Sequence, residues 1–277
     1  MARKHANRKG KVISAAFETL EARQLQTATN AGLYYAPLPT LWATAPTAVL
    51  PHAYADLNDD GYVDMVRSTG SGPNATAVLL GEGAGQFDRA VYYPGGHMCQ
   101  DIEIADVNND GHLDVLSANA NDKSITVLRG LGDGTFTLAN TVTFGDITPT
   151  DTSVVDFTHD GKLDLVICGY SHSFPLEGVI GTMEGNGDGT FGALKTYIPS
   201  VQTMDTAPFG VGSADFNGDG WADFITTHRA TQPGYQVYLN NHNRTFAQQT
   251  ISMMALVSLH LAARRCYSNS NVSSSAV

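Results

Sequence analysis

The nine residues "DVNNDGHLD" at 106–114 place oxygen-bearing side chains at alternate positions: Asp106, Asn108 and Asp110, then Asp114 after one interruption. Such spacing in a tight turn suits a hard cation. Ca²⁺ takes roughly six to eight oxygens from carboxylates, amides, backbone carbonyls and water. Without a cation, three carboxylates so close together repel one another. Three sister stretches occur in the chain: "DLNDDGYVD" at 56–64, "DFTHDGKLD" at 156–164 and "DFNGDGWAD" at 215–223, with starts 50, 50 and 59 residues apart.

Comparing the copies separates fixed from free positions. Asp holds position 1 (Asp56, Asp106, Asp156, Asp215), position 5 (Asp60, Asp110, Asp160, Asp219) and position 9 (Asp64, Asp114, Asp164, Asp223). Position 3 is Asn58, Asn108, Thr158 and Asn217, always an oxygen bearer and weakest as a ligand at Thr158. Position 7 is Tyr62, His112, Lys162 and Trp221, four unrelated side chains, as expected if only the backbone carbonyl there binds the ion. Glycine at position 6 permits the sharp turn that returns position 9 to the site. The expectation is four Ca²⁺ sites built from positions 1, 3, 5, 7 and 9. Four divalent ions would bring the formal charge from −11 to −3 (−11 + 8).

Rival readings account for less. A plain Asx turn needs about two such residues and leaves position 9 without a reason. Mg²⁺ prefers rigid octahedral sites that retain several waters. An EF-hand loop closes on Glu at its twelfth position, where this chain has Arg67, Ser117, Ile167 and Thr226. Dockerin modules also close at position 12 and repeat at a shorter interval. The tandem Gly-rich nonapeptide of β-helices is absent.

The elements that must hold these loops are strands. A second marker follows each loop: "GEGAGQF" ending at Phe87, "GLGDGTF" at Phe136, "GNGDGTF" at Phe191 and "NNHNRTF" at Phe246. Short stretches rich in Val, Ile, Tyr and Thr precede each loop, follow it, lead into the glycine turn and leave it. Apolar residues at positions 2 and 8 anchor each loop to the core: Leu57 and Val63, Val107 and Leu113, Phe157 and Leu163, Phe216 and Ala222. Four strands per repeat of about 50 residues predict an all-β chain, a β-propeller of four-stranded blades with four clear repeats.

The acidic loop with a Gly-rich turn ending in Phe resembles the FG-GAP/VCBS repeat of integrin α-subunit propellers and of many bacterial surface proteins. The resemblance covers residues 34–250. It implies that each loop joins the first two strands of a blade and binds Ca²⁺ through Asp56, Asn58, Asp60, Asp64 and their counterparts. Integrin-type propellers have seven blades. This chain shows four repeats plus part of another at 33–50 or in the C-terminal strand, so the ring is either small or incomplete.

The flanks differ in character. Residues 1–30 begin with Arg3, Lys4, Arg8, Lys9 and Lys11 and lack the apolar centre of a secretory signal. "LEARQL" at 20–25 resembles the Leu-Glu-Pro-Arg-x-Leu sorting element of exported bacterial proteins, with Ala22 in place of proline. The alternative is a basic leader or a short amphipathic helix. After 31–250, residues 251–277 read as a strand and a polar tail. No acidic residue follows Asp223, and Arg264 and Arg265 stand where a fifth loop is due. Truncation, a frameshifted gene end and a genuinely short array all give this pattern.

Other chemistry is missing. Cys99, Cys168 and Cys266 form neither a zinc pattern nor a disulfide framework and read as two buried small hydrophobes and a tail residue. No His-Glu-x-x-His, nucleophile elbow or phosphate loop occurs. The Gly-x-Gly-x-x-Gly match at Gly187, Gly189 and Gly192 lies in a blade turn. Glycosylation triplets stand at Asn74, Asn243 and Asn271. The acidic balance argues against nucleic acid, and no apolar run reaches the roughly 18 residues of a membrane span. The expected function is a non-catalytic, calcium-binding, extracellular or cell-surface domain for adhesion or for binding a protein or carbohydrate ligand. Alternatives are a propeller scaffold in a polysaccharide- or lipid-processing system, and a remnant of a longer surface protein. His112 and Trp221 either cover the rim or touch that ligand.

Overall fold

The computed structural model describes residues 50–70, 72, 75–171, 177–197, 208–228 and 235–250. The stretches read above as a basic leader and a sorting element, with Asn74, Cys266, Asn271 and the segment 251–277, lie outside them. All described residues belong to the unit Leu50–Val277.

Every regular element among the described residues is a strand, and the strands group into four four-stranded antiparallel sheets. Sheet 1 holds β1 (His52–Ala55), β2 (Asp64–Ser68), β3 (Thr76–Leu79) and β6 (Val91–Tyr93), with a small ribbon of β4 (Gly81–Gly83) and β5 (Gln86–Phe87) beside it. Sheet 2 holds β7 (Cys99–Ala105), β8 (Asp114–Asn119), β9 (Ser124–Gly130) and β10 (Phe136–Thr143). Sheet 3 holds β11 (Ile147–Val155), β12 (Asp164–Ser171), β13 (Glu177–Met183) and β14 (Lys195–Tyr197). Sheet 4 holds β15 (Pro208–Ala214), β16 (Asp223–His228), β17 (Tyr235–Asn240) and β18 (Phe246–Thr250). Each acidic loop joins the first two strands of its sheet, as in β1↔β2, where Ala55 pairs with Asp64.

Successive sheets share apolar cores, and the repeat pattern dictates which side chain faces which neighbour. On the second strand the residue after the last loop aspartate points back to the preceding sheet and the next one forward, because strand side chains alternate. Val115 thus joins Val66 and Val78 between sheets 1 and 2, while Leu116 joins Leu165 between sheets 2 and 3. Val166 and Phe224 repeat the arrangement between sheets 3 and 4. These interior side chains are fully buried, and each contributes on the order of 1.5–3 kcal/mol of transfer free energy.

The loop and turn markers obey the same polarity. Position 2 packs forward: Leu57, Val107 and Phe157 are buried in the cores that their sheets share with the following ones. Position 8 and the turn phenylalanine pack backward, as Leu113 and Phe136, Leu163 and Phe191, and Ala222 and Phe246 do. In sheet 1 these two backward-facing residues, Val63 and Phe87, are 44% and 40% exposed. The expected anchoring of every loop at position 8 therefore fails at Val63. Among the described residues no sheet precedes it.

The first strands are also stitched together by carboxylates. Asp101 Oδ2 on β7 accepts hydrogen bonds from Thr152 N (3.0 Å) and Thr152 Oγ1 (2.6 Å) on β11. Asp151 Oδ2 on β11 accepts from Val211 N (2.8 Å) on β15. Glu103 stands at the same seam. Burial, with repulsion from Asp101 and Asp151, pushes its carboxyl up to about 8. Burial and the nearby Asp101 carboxylate raise Asp151 as well.

A pH dependence follows from these raised values. A carboxyl whose folded pKa lies above its unfolded one costs stability when ionised, and that cost is relieved as pH falls through the folded value. The melting temperature should therefore rise as pH is lowered from about 8 towards 5. Replacing Glu103 with Gln should flatten that rise, which thermal scans across the range will read.

Candidate metal loops

The four loops adopt one internal arrangement. In the first, Asp56 Oδ1 accepts from Asp60 N (3.1 Å) and Oδ2 from Gly61 N (3.0 Å). Asn58 Oδ1 accepts from Asp60 N (3.2 Å), and Asp60 Oδ1 from Tyr62 N (2.8 Å). Asp106, Asn108 and Asp110 repeat this set, as do Asp215, Asn217 and Asp219. Position 4 is left-handed in Asp59 (φ 59°), Asn109 (58°) and His159 (60°), a conformation that glycine adopts at Gly218 (78°). The third loop departs at Thr158, whose hydroxyl reaches Asp156 Oδ1 at 3.5 Å and bridges nothing to Asp160.

Position 9 has a task that the sequence does not announce. Asp64 Oδ2 accepts from Leu57 N (2.7 Å) and Oδ1 from Gly81 N (2.7 Å), clamping the loop to the head of the glycine turn that follows β3. Asp114 does the same with Val107 and Gly130, and Asp223 with Phe216 and Asn240. Asp164 takes three amides, from Phe157 (3.0 Å), Thr158 (2.9 Å) and Gly185 (2.8 Å). The constancy of this aspartate thus has a structural cause independent of any ion. All four carboxyls are raised by burial, against the lowering effect of their amide donors, and Asp114 reaches about 6.

The clamp explains the second marker too. A Cβ on Gly81, Gly130 or Gly185 would collide with the backbone carbonyl of Val63, Leu113 or Leu163. The fourth repeat solves this differently: Asn240 stands there, and its Nδ2 donates to Ala222 O (3.1 Å) and Phe157 O (2.8 Å).

Position 7 side chains lie over the glycine turn of their own repeat. A Cβ on Gly83 would come within 2.6 Å of Tyr62 Cε1, and one on Gly187 within 3.1 Å of Lys162 Cδ. A Cβ on Gly132 would collide with the His112 ring. In the fourth repeat Trp221 stacks on His242 (centroids 4.8 Å apart, 17°), and His159 of the third loop covers it from 4.8 Å at 34°. Trp221 and His112 thus each lie against the turn of their own repeat. The loops of repeats 3 and 4 are neighbours by this stack, and Asn109 Nδ2 reaches Gly161 O of the third loop at 3.5 Å.

In kind, the donors at positions 1, 3, 5 and 9 suit a hard cation, being oxygen throughout. Among the described residues no group of three or more His, Cys, Asp or Glu side chains is arranged to hold a metal ion. The position 1 and 5 oxygens instead close on loop amides. Of the other expected features, Cys99 and Cys168 are buried and unpaired, with burial pushing the Cys99 thiol up to about 12. Asn243 is exposed and accepts from Thr245 N (3.2 Å) and Oγ1 (2.6 Å). No helix among the described residues is long and apolar enough to cross a membrane.

A shared loop, hairpin and glycine-turn clamp define one repeat, and the FG-GAP-like repeat family matches residues 56–117 and 106–167. The chain carries FG-GAP-like repeats. Comparison with curated proteins finds no match. Among solved structures the chain is similar to an exo-β-1,3-galactanase, 1,3Gal43A, from Clostridium thermocellum. The two share 14% identity at a TM-score of 0.46 over 73% of this chain and 48% of that one. It is also similar to the V. cholerae biofilm matrix protein Bap1, with 14% identity and a TM-score of 0.42 over 73% of this chain and 28% of that one. The chain thus spans less than half the length of either. The third repeat after residue 167 and the whole of the fourth lie beyond the matched residues, yet both repeats keep the same clamp and sheet order.

Proposed function

We propose that the FG-GAP-like loops bind Ca²⁺ and that the sheet array serves as a non-catalytic adhesion or ligand-binding module at the cell surface or outside the cell. The observation that carries this is the fourfold recurrence of one all-oxygen loop with the same fold. Asp56, Asn58, Asp60, Asp64 and the carbonyl of Tyr62 would hold the first ion, and their counterparts the other three. Bound Ca²⁺ would supply only charge: it offsets the repulsion among three carboxylates and ties the first hairpin to the third strand that position 9 already clamps. The loops lie at the same end of each sheet, so the ions would stiffen one rim and leave the other loops to meet a protein or carbohydrate partner.

The test is equilibrium dialysis of the full chain against Ca²⁺. Uptake of three or four ions per chain is expected at millimolar concentration, the range typical of extracellular calcium modules at about 10⁻⁴–10⁻³ M. Uptake should fall stepwise as Asp60, Asp110 and Asp219 are changed to Ala.

A further inference from the structure

The four loops share donors but differ in counter-charge. In the second, Arg129 on β9 donates through Nε (3.2 Å) to Asp110 Oδ2 and pairs with it through Nη2 (3.1 Å). In the third, Lys162 Nζ stands 3.8 Å from Asp160 Oδ2. In the fourth, His242 Nε2 lies 2.8 Å from Asp219 Oδ2. The corresponding atom of the first loop, Asp60 Oδ2, accepts from the position 3 amide Asn58 Nδ2 at 2.9 Å, as Asp110 and Asp219 do from Asn108 and Asn217, but among the described residues no basic side chain pairs with it. The first loop also holds a fourth carboxylate, Asp59, where the others have Asn109, His159 and Gly218.

Resting on the calcium reading above, we infer that the loops form a graded series in which 56–64 fills first and 106–114 is held back by Arg129. Position 5 is the donor on which this grading acts. An ion that uses the position 5 carboxylate must share it with, or displace, the protein's own cation, and like charges repel across the short distance that remains. At roughly 5 Å in a water-like dielectric, a guanidinium weakens a divalent ion's binding on the order of tenfold, less at high salt. The extra charge of Asp59 acts in the other direction, since affinity of acidic calcium loops follows their charge count. As Ca²⁺ rises, the loop at the sheet 1 end would be occupied before its neighbours.

Calorimetric Ca²⁺ titration of the full chain tests this with three variants. Arg129 is a surface residue, and Asp59 at φ 59° accepts Asn without strain, so neither change should disturb the fold. The wild type should show one site tighter than the rest. Asp59→Asn should weaken that site several-fold. Arg129→Gln should tighten one of the weaker sites about tenfold, and Arg129→Lys, which keeps the charge, should titrate as wild type. Four indistinguishable wild-type sites, or an Arg129→Gln titration identical to wild type, would overturn the grading and leave the calcium reading standing. No uptake by any of the four proteins would overturn the calcium reading itself, and the grading with it.

Discussion

Replacing Asp164 with Ala should destabilise the protein by about 3–5 kcal/mol, even in the presence of chelator. The carboxylate is fully buried and satisfies three backbone amides, those of Phe157, Thr158 and Gly185. Removing it leaves three buried donors unpaired, and each unsatisfied buried group costs roughly 1–3 kcal/mol before relaxation or entering water reduces the total. The methyl of Ala also leaves a void at the join of loop, second strand and third strand. At roughly 2–4 °C per kcal/mol for a unit of this size, the melting temperature should drop by about 10 °C. Asp164→Asn keeps one carbonyl acceptor and should lose about half as much. Scanning both variants in chelator separates this clamp from any role as an ion ligand. A variant as stable as wild type without Ca²⁺ would show that the aspartate matters only through the metal.

The second large effect is expected at the other end of the same clamp. In Gly185→Ala the new methyl would enter the space of the Leu163 carbonyl oxygen. Backbone cannot swing away as a side chain can, so strands β12 and β13 must part locally and lengthen the Gly185 N to Asp164 Oδ1 bond. Overpacking of this kind costs about 1–3 kcal/mol, and here a strained hydrogen bond adds to it. The fourth repeat offers an internal control, because Asn240 occupies the equivalent position and bonds to the Ala222 carbonyl in front of it. Gly185→Asn, although bulkier, should therefore be milder than Gly185→Ala in denaturant unfolding. The reverse order would mean that sheet 4 tolerates Asn240 for some other reason.

These two residues show how far the sequence can be read. Asp at position 9 and glycine at the head of the second marker are each visible as repeated residues. Their linkage by a carboxylate–amide bond across 16–21 residues is not visible, because nothing in spacing alone tells a ligand from a clamp. The strands themselves were legible from β-branched and aromatic content between turn residues, and so was position 2 as an apolar anchor, though not its forward direction. Position 8 was legible as apolar but not as backward-facing. That direction needs the sheet order, and it is what leaves Val63 exposed in the first repeat while Leu113 and Leu163 pack.

The carboxylates of the inter-sheet seam were out of reach for a different reason. Asp101 and Asp151 sit five residues before their loops, where repeats 1 and 4 have Pro51 and Gly210. A feature present in half of the copies carries no repeat signature, and Glu103 occurs once. The stack of His159, Trp221 and His242 likewise uses the freely varying positions 4 and 7 of two loops and a residue of the fourth turn, so no recurring side chain announces it. One signal could have been used: where glycine gives way to Asn240, the following glycines also give way, to His242 and Arg244, both left-handed at φ 63° and 67°. The fourth turn keeps the shape of its sisters while changing every glycine.

The most direct test of the account is the calcium stoichiometry of the full chain by dialysis, run with Mg²⁺ as competitor at equal concentration. The account predicts three or four Ca²⁺ per chain at saturation, little displaced by Mg²⁺, because the loops offer many flexible oxygens and no rigid octahedron. A folded chain that retains no Ca²⁺ at millimolar concentration would contradict it and leave the acidic loops as turns held by their own amides and the position 9 clamp.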